Sequence, residues 1–305
     1  MIYGFIVIGS GPAGLTAGMY AARLNVKTLV LGLLPGGLLT SIHDIENWPG
    51  EKSTSGMDLA TKLMDHAAHS GSEMKYEEVI SVTKSQDAEG KPTYKAKTTS
   101  GEYEAYTLLF ATGGKHRTLN VPGEKEFAGK GVSYCALCDA NFYKGKTVVV
   151  IGGGDAAAKD TLVLAQHCVK VYVIVRSVMR AEPANVKLLE QEPNIEIIYK
   201  EEVESISGTA KVEKIKFKSG KEITTDAVFV AIGTEPLNAM AQELGVALNA
   251  RGEIIVDKDA KTNVPGVFGA GDCTDIDVKQ AILGSAQAVL ASYGAFRYLR
   301  TIQPK

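Results

Sequence analysis

Two segments of the chain share one order of features: a continuous apolar run, a glycine-rich turn and a helix. The first apolar run covers residues 2–8 and is typical of a strand buried on both faces of a parallel sheet. Gly9–Gly14 follow it and open a helix predicted over Leu15–Leu24, and a second strand is predicted over Lys27–Leu31. The pattern predicts a β-α-β unit at the start of the chain.

The same order returns about 143 residues later, counted between the first glycines of the two turns. A strand is predicted over Thr147–Ile151, a turn over Gly152–Ala157, a helix near Ala158–His167 and a strand over Lys170–Arg176. The chain is therefore expected to contain two nucleotide-binding folds.

Between the two units, polar and apolar residues alternate in a different way. Val79–Lys97 and Glu102–Leu109 read as antiparallel strands, separated by polar turns at Asp87–Lys91 and Ser100–Gly101. We interpret them as a β-meander inserted in the first domain.

Two strand-like runs leave through similar glycine turns. Thr107–Ala111 ends in Thr112-Gly113-Gly114, and Ala227–Ile232 ends in Gly233. These exits indicate the two ends of an inserted domain. The predicted domains are 1–114 with 244–305, which closes with a helix over Lys279–Tyr298, and 115–243. The fold class is α/β, with two Rossmann-like three-layer nucleotide-binding domains and the inserted meander.

Composition excludes several classes of function. The 305 residues are 45% hydrophobic and 22% charged, and 33 basic residues nearly balance 35 acidic ones, which makes nucleic acid and anionic membrane improbable partners. The first strand begins at Ile2, and no apolar run approaches the roughly twenty residues of a membrane span. We expect a cytoplasmic protein without a membrane segment.

The first turn is G-x-G-x-x-G placed between a strand and a helix. Gly9 makes the tight turn, Gly11 lets a pyrophosphate approach the backbone, and Gly14 allows close helix packing. An acid that would hold a ribose hydroxyl is missing at the end of the second strand, where Gly32 stands. The turn predicts a dinucleotide whose ribose is held by other groups.

The second turn is G-x-G-x-x-A, in which Ala157 still permits close packing. Its second strand leads to Arg176 and Arg180 where an NAD-specific site would carry an acid. Arginines pair with a 2′-phosphate, so this site favours NADPH over NADH. The alternative is that both arginines are solvent-facing ends of a strand and a helix.

Between the two turns lies a C-x-x-C pair, Cys135 and Cys138, followed by Asp139. Such a pair closes into a disulfide that accepts two electrons and passes them on by thiol exchange. The neighbouring acid can supply a proton to a departing thiolate. A zinc site is the alternative, but it needs about four ligands, no second Cys pair exists and the five histidines are scattered without the spacing of a metal site, so we expect no metal.

Taken together, these motifs resemble the low-molecular-weight thioredoxin reductases of the pyridine nucleotide–disulfide oxidoreductase group, over almost the whole chain. Besides the two turns and the cysteine pair, the resemblance is carried by residues 46–50 (ENWPG), 269–272 (GAGD) and 279–281 (KQA). A disulfide inside the second nucleotide domain marks this subfamily.

The resemblance implies FAD in the first domain and NADPH in the second. It assigns FAD to Gly9, Ser10, Gly11, Pro12, Ala13, Gly14, Gly36, Gly37, Asn47, Val79, Ala111, Gly113, Asp272, Lys279, Gln280 and Ala281. It assigns NADPH to Gly152, Gly154, Asp155, Ala156, Arg176, Ser177, Arg180, Ile232 and Gly233. Cys138 would be the sulfur nearest the flavin, Cys135 the one that attacks a partner disulfide, and Asp139 the general acid and base.

The implied activity is reduction of a thioredoxin-like protein by a homodimeric flavoenzyme. The chain departs from the family pattern at Gly36-Gly37-Leu38-Leu39, where a glutamine is usual at the third position, and at the arginine cluster, which is one cation and one histidine short. Three alternatives therefore stay open: the same reductase supplied by ferredoxin or a deazaflavin, a flavin-dependent ferredoxin–NADP reductase, and a dinucleotide sensor without turnover.

Overall fold

The structure of the protein is a computed structural model that describes residues 1–42 and 44–302. Its strands are β1 (Ile2–Ile8), β2 (Thr28–Leu31), β3 (Glu73–Lys75), β4 (Val79–Gln86), β5 (Pro92–Thr98), β6 (Glu102–Phe110), β7 (Gly114–His116), β8 (Val132–Ser133), β9 (Thr147–Ile151), β10 (Lys170–Val175), β11 (Ile195–Tyr199), β12 (Val203–Gly208), β13 (Val212–Phe217), β14 (Glu222–Thr224), β15 (Ala227–Val230), β16 (Thr234–Pro236) and β17 (Val267–Gly269). Its α-helices are α1 (Pro12–Arg23), α2 (Gly56–His69), α3 (Ala136–Asp139), α4 (Asp155–Ala165), α5 (Pro183–Gln191), α6 (Ala239–Glu243) and α7 (Ala281–Ile302). Short 3-10 helices cover Gly37–Ser41 and Ala140–Tyr143.

The chain divides into two compact units. Unit 1 comprises Met1–Lys115 and Glu235–Lys305, and unit 2 comprises His116–Thr234. The sequence analysis placed the return to the first domain at residue 244, whereas unit 1 resumes at Glu235. Asn238 gives the physical reason, because its Nδ2 donates hydrogen bonds to the carbonyl oxygens of Gly252 (2.9 Å) and Cys273 (2.7 Å), which both belong to unit 1.

Unit 1 contains a sheet in the order β3-β2-β1-β6-β5-β4, in which β17 also pairs with β6. β1 is parallel to β2 and β6, and β6 is parallel to β17, whereas β4, β5 and β6 form antiparallel pairs. The long strand β6 therefore belongs to the meander through its first half and to the nucleotide-binding sheet through its second half. The predicted runs 102–109 and 107–111 both fall on this one strand, which ends at Phe110.

Helices α1 and α7 cover the same face of the unit 1 sheet with small side chains. Ala17, Ala288 and Ala291 are fully buried in the cluster that also contains Phe5. The Ser292 hydroxyl donates to the Ala17 carbonyl oxygen at 3.2 Å, which links the two helices directly. Small residues let the helix backbones approach closely, so α7 fixes the position of the turn that opens α1.

Unit 2 contains a parallel sheet in the order β11-β10-β9-β15-β8. The predicted β-α-β unit is present, although α4 begins at Asp155 rather than near Ala158. The sequence analysis missed a separate antiparallel sheet, β12-β13-β14. Among the helices that the structure describes, none has the length and apolar character needed to cross a membrane.

Candidate functional site

The first nucleotide turn joins β1 to α1, and two of its glycines stand where a side chain has no room. Gly9 has φ +117°, and a Cβ on it would lie 2.1 Å from the Ala111 carbonyl oxygen. A Cβ on Gly14 would lie 1.8 Å from the Gly9 carbonyl oxygen. Gly9 and Gly14 thus allow the end of β1, the end of β6 and the start of α1 to meet.

Gly11 has a different environment, because it faces open space. It caps the N-terminus of α1 without a side-chain hydrogen bond, with Pro12 in the first turn, and a Cβ on it would meet nothing closer than the Gly37 Cα at 4.0 Å. The Gly36 N–H donates to the Ser10 carbonyl oxygen at 2.9 Å, which holds the Gly36-Gly37 turn beside the first nucleotide turn. The unpaired N–H groups of a helix start attract a phosphate, so these residues fit the diphosphate of FAD.

The absence of an acidic residue at the end of β2, where it would hold a ribose hydroxyl, has a structural reason. A Cβ on Gly32 would lie 2.4 Å from the Ser10 Oγ, which itself donates to the Leu34 carbonyl oxygen at 2.8 Å. Any side chain at this position collides with the buried Ser10. The absence of an acid therefore follows from packing around the turn.

A second group of predicted FAD residues meets at the start of α7. The Asn47 Nδ2 donates to the Gln280 Oε1 at 2.8 Å, although the two residues are far apart in sequence. A Cβ on Gly284 would lie 3.0 Å from the Cα of Gly271, which immediately precedes Asp272. Ala281, the first residue of α7, packs beside the apolar cluster of Leu39, Ile45, Leu59 and Ala60.

Three further residues predicted to bind FAD lie elsewhere in unit 1. Val79 begins β4, which is separated from β1 by β6 and β5 in the sheet. Gly113 follows β6 with φ +67°, and its carbonyl oxygen accepts a hydrogen bond from the Leu237 N–H at 3.3 Å. The Lys279 Nζ is used within the protein, where it contacts Glu253 at 3.1 Å and the Thr274 carbonyl oxygen.

The second nucleotide turn repeats the construction of the first. A Cβ on Gly152 would lie 2.4 Å from the Ala231 carbonyl oxygen at the end of β15. Gly154 caps α4 without a side-chain hydrogen bond, and a Cβ on it would meet nothing within 4 Å. The backbone around Gly154 therefore fits a pyridine dinucleotide diphosphate in the same way as Gly11 fits that of FAD.

Asp155 has a structural task in addition to any contact with a nucleotide. Its Oδ1 accepts hydrogen bonds from the Glu182 N–H (2.7 Å) and the Asn185 Nδ2 (3.1 Å), and these hydrogen bonds lower the pKa of Asp155. The carboxylate thereby attaches the first turn of α5 to the start of α4.

The segment after β10 carries the residues that were predicted to bind the 2′-phosphate of NADPH. Arg176, Ser177 and Arg180 have exposed side chains, and the Arg180 N–H donates to the Gly153 carbonyl oxygen at 2.6 Å. This bond holds the segment, with its two exposed arginines, beside the nucleotide turn. The other predicted residues are partly or fully exposed and lie on α4 or after β15: Ala156, Ile232 and Gly233.

Cys135 and Cys138 form a disulfide at the start of α3, with their Cα atoms 5.3 Å apart. Both residues are half-buried, and the Cys138 N–H donates to the Cys135 Sγ at 3.2 Å. An N–H aimed at a sulfur stabilises its thiolate once the bond is reduced. The pair is therefore built for thiol–disulfide exchange.

Ser133 is a site residue that the sequence analysis missed. Its hydroxyl donates to the Asp139 Oδ2 at 2.6 Å, and it accepts a hydrogen bond from the Cys135 N–H at 3.1 Å. Burial raises the pKa of Asp139, and the bond from Ser133 acts against this rise. No sequence signal marked Ser133, although it lies within the run 133–139 that contains the cysteines.

Other reactive groups lie outside this arrangement. Cys168 and Cys273 are buried free thiols, and burial raises the pKa of Cys168 to about 11. Burial also raises the pKa of Asp160, on α4, to about 6. Within residues 1–42 and 44–302, no group of three or more His, Cys, Asp or Glu side chains is arranged to hold a metal ion.

Comparison with known proteins gives a consistent result over the whole chain. A family model described as pyridine nucleotide-disulphide oxidoreductase matches residues 3–292. A thioredoxin reductase of Treponema pallidum (strain Nichols) is 36% identical over 99% of this chain and 98% of that protein, and one of Bacillus subtilis (strain 168) is 34% identical over 99% and 96%. The crystal structure of thioredoxin reductase from Streptococcus pyogenes MGAS5005 superposes with a TM-score of 0.91 at 33% identity, covering 98% of this chain and 99% of that one.

Proposed function

This chain belongs to the pyridine nucleotide-disulphide oxidoreductase family and, within it, to the thioredoxin reductases, and we propose that it uses NADPH and FAD to reduce a thioredoxin-like protein through Cys135 and Cys138. The resemblance and the fold class inferred from the sequence are confirmed. The flavoproteins of this family use FAD and NADPH, and the chain is an oxidoreductase.

The observation that carries the proposal is the Cys135–Cys138 disulfide beside Asp139, in the unit that also holds the G-x-G-x-x-A turn. A ferredoxin–NADP reductase would need both nucleotide turns but no disulfide, and a dinucleotide sensor would need no general acid. The disulfide therefore favours the reductase over these alternatives.

In the proposed exchange, the Cys135 thiolate attacks one sulfur of the partner disulfide and forms a mixed disulfide. The Cys138 thiolate then attacks Cys135, the Cys135–Cys138 bond is restored, and the partner leaves as a dithiol. Asp139 supplies the proton that the departing partner thiolate needs, because burial favours its protonated form. Ser133 orients the Asp139 carboxyl group.

The cofactors would be held by the two nucleotide turns. FAD would lie on the β1–α1 turn and near the Asn47–Gln280 pair, and NADPH on the β9–α4 turn with its 2′-phosphate on Arg176 and Arg180. FAD, when bound, supplies the two-electron chemistry that connects a hydride donor to a disulfide.

The partner is proposed to be a thioredoxin-like protein. Leu137 and Phe142, on either side of Cys138 in sequence, are 53% and 44% exposed. Apolar side chains exposed beside a reactive disulfide suit a protein substrate better than a small molecule. A supply of electrons from ferredoxin remains the second candidate for the donor.

We place the enzyme in the cytoplasm as a homodimer, again as a proposal. On α7, Ile282, Leu283, Leu290 and Tyr293 are apolar and exposed, and Leu290 and Tyr293 lie within one turn of each other. A second copy of the chain is the proposed partner of this face. Sedimentation of the Leu290→Arg variant as a monomer would support this interface, and sedimentation as a dimer would contradict it.

The function is tested by anaerobic addition of NADPH, NADH or a reduced ferredoxin to the purified flavoprotein, followed by oxidised thioredoxin. We expect NADPH to bleach the flavin faster than NADH, and the preference to disappear in the Arg176→Ala/Arg180→Ala variant. Cys138→Ser is expected to bleach but not to reduce thioredoxin, whereas Cys168→Ala, the matched control, should behave as the parent. Full turnover by Cys138→Ser would refute the mechanism, and equal bleaching by NADPH and NADH would refute the role of the arginines.

A further inference from the structure

Glu253 is a carboxylate buried among donors. Its side chain is only 8% exposed, and it contacts the Asn249 Nδ2 (2.7 Å), the Arg251 Nε (2.8 Å) and the Lys279 Nζ (3.1 Å). Burial raises the pKa of Glu253, but these three donors together outweigh burial and lower it overall. The group is therefore a buried negative charge at neutral pH.

Lys279 joins this charge to the other side of a loop. Its Nζ contacts Glu253 and also donates to the Thr274 carbonyl oxygen, while its side chain is 25% exposed. One ammonium group thus attaches residue 279 both to residue 253 and to residue 274. The segment 274–279 is closed into a loop of fixed span.

The two ends of this closed segment adjoin predicted flavin contacts. Asp272 precedes it, and Gln280, which accepts the hydrogen bond from Asn47, follows it at the start of α7. Any change in the span of the segment moves Gln280 relative to Asp272.

The turn that carries Glu253 is itself rigid. The Asn249 Oδ1 accepts hydrogen bonds from the backbone N–H groups of Arg251 (2.8 Å) and Glu253 (3.1 Å). The Ile254 N–H donates to the Cys273 carbonyl oxygen at 2.9 Å, which attaches the turn to the residue after Asp272. The position of Glu253 is therefore fixed, and its carboxylate can hold the Lys279 ammonium group in place.

We propose that Glu253 is a positioning residue of the flavin site, which acts through Lys279 to fix the distance between Asp272 and Gln280. Lys279 accordingly serves the site through Glu253 and Thr274 rather than by contact with the cofactor. A buried ion pair seldom stabilises a fold more than apolar residues of the same volume would, so its value here lies in the geometry that it imposes. This proposal rests on the binding of FAD to unit 1.

The test compares Glu253→Gln, which keeps the shape and removes the charge, with the parent chain. We expect the Kd for FAD, measured by quenching of flavin fluorescence, to rise roughly tenfold, the lower end of what loss of an orienting partner costs at metal sites. Amide hydrogen exchange across residues 274–280 of the FAD-free chain should accelerate as well. Lys279→Met should show both effects, and Lys279→Arg should show neither.

The matched control is Glu201→Gln. Glu201 is similarly buried, with 6% of its side chain exposed, and pairs at 3.2 Å with Lys221, which lies between β13 and β14 in unit 2. It should lower thermal stability about as much as Glu253→Gln does, without changing the Kd for FAD. If both variants change FAD affinity equally, Glu253 serves stability alone and the proposal is wrong.

Two further outcomes are decisive. If Glu253→Gln does not fold, Lys279→Met and Lys279→Arg supply the comparison, and equal FAD affinity in both would overturn the proposal. If the parent chain binds no FAD, the proposed function fails, whereas exchange at residues 274–280 still reports whether Glu253 restrains the segment. Unchanged exchange in Glu253→Gln would refute that restraint by itself.

Discussion

Removal of the Ser133 hydroxyl should raise the pKa of Asp139. In the structure this hydroxyl donates to the Asp139 Oδ2 at 2.6 Å, and its bond lowers a pKa that burial raises. Ser133→Ala leaves burial unchanged and removes the opposing hydrogen bond. Asp139 therefore retains its proton to a higher pH.

The size of the effect follows from the type of hydrogen bond. A hydrogen bond to a charged group contributes about 1.5–3 kcal/mol. Because the bond favours the ionised carboxylate, its loss destabilises that form and shifts the pKa of Asp139 further upward. If Asp139 is the general acid, the alkaline limb of kcat/KM for thioredoxin moves to higher pH.

The assay is the pH dependence of thioredoxin reduction by the parent, Ser133→Ala and Asp139→Asn. The double variant Ser133→Ala/Asp139→Asn should have the profile of Asp139→Asn, because Ser133 then has no carboxylate to influence. Ser219→Ala is the matched control, since its hydroxyl donates to the Glu201 carboxylate at 3.0 Å elsewhere in unit 2. An unchanged or downward-shifted limb in Ser133→Ala would refute the role of Asp139 as the acid.

Two other predictions concern folding and stability. Gly9→Ala should give little folded protein, since its Cβ would lie 2.1 Å from the Ala111 carbonyl oxygen, whereas Gly11→Ala should fold but purify without bound flavin and its yellow colour. Circular dichroism measures the folding of each variant, and flavin absorbance measures its FAD content. A yellow Gly11→Ala protein would contradict the assigned site. The pKa of Asp160 is raised above its unfolded value of 3.8 to about 6, so stability should fall as the pH rises from about 4 to 7, by up to about 3 kcal/mol. Asp160→Asn should abolish this fall in urea denaturation, and an unchanged pH dependence would refute it.

The β-α-β units and the two nucleotide turns were predictable because their signals are local. A continuous apolar run followed by glycines at fixed spacing specifies a buried strand and the turn after it, whatever the rest of the chain does. Strand Thr147–Ile151 was predicted with its observed bounds. The helix starts were placed less well, because Asp155 already belongs to α4, and the first helical turn carries no apolar periodicity.

The antiparallel sheet of unit 2 was missed because its apolar positions are interspersed with charges. On the exposed side of these strands, Glu202 and Glu204 pair with Lys218 and Lys216. The opposite side of the same strands carries the buried core residues Val203, Ile206, Val212, Ile215 and Phe217. Which strand pairs with which depends on turns that lack an Asn-Gly or Asp-Gly signal.

The roles of Ser133 and Glu253 were not predictable, since both depend on hydrogen bonds that only the folded chain creates. Ser133 lies on β8, six residues before Asp139 on α3, so no helical periodicity in the sequence relates the two side chains. Glu253 and Lys279 are remote in sequence and meet through the loop after β17. Motifs predict residues for contact with a cofactor, but no motif marks a residue that holds another one in place.

The two nucleotide-binding units differ in how freely the residue after their second strand can be substituted. Both place their first glycine against a carbonyl oxygen of the neighbouring strand, Ala111 in unit 1 and Ala231 in unit 2, so both turns are fixed by backbone crowding. After the second strand they diverge, because Gly32 is confined by Ser10 whereas Arg176 is exposed. Substitution at Gly32 must disturb the fold of unit 1, but substitution at Arg176 need not disturb unit 2. If Arg176 binds the 2′-phosphate as proposed, the preference for NADPH can therefore change at a smaller cost in stability than the packing around Gly32.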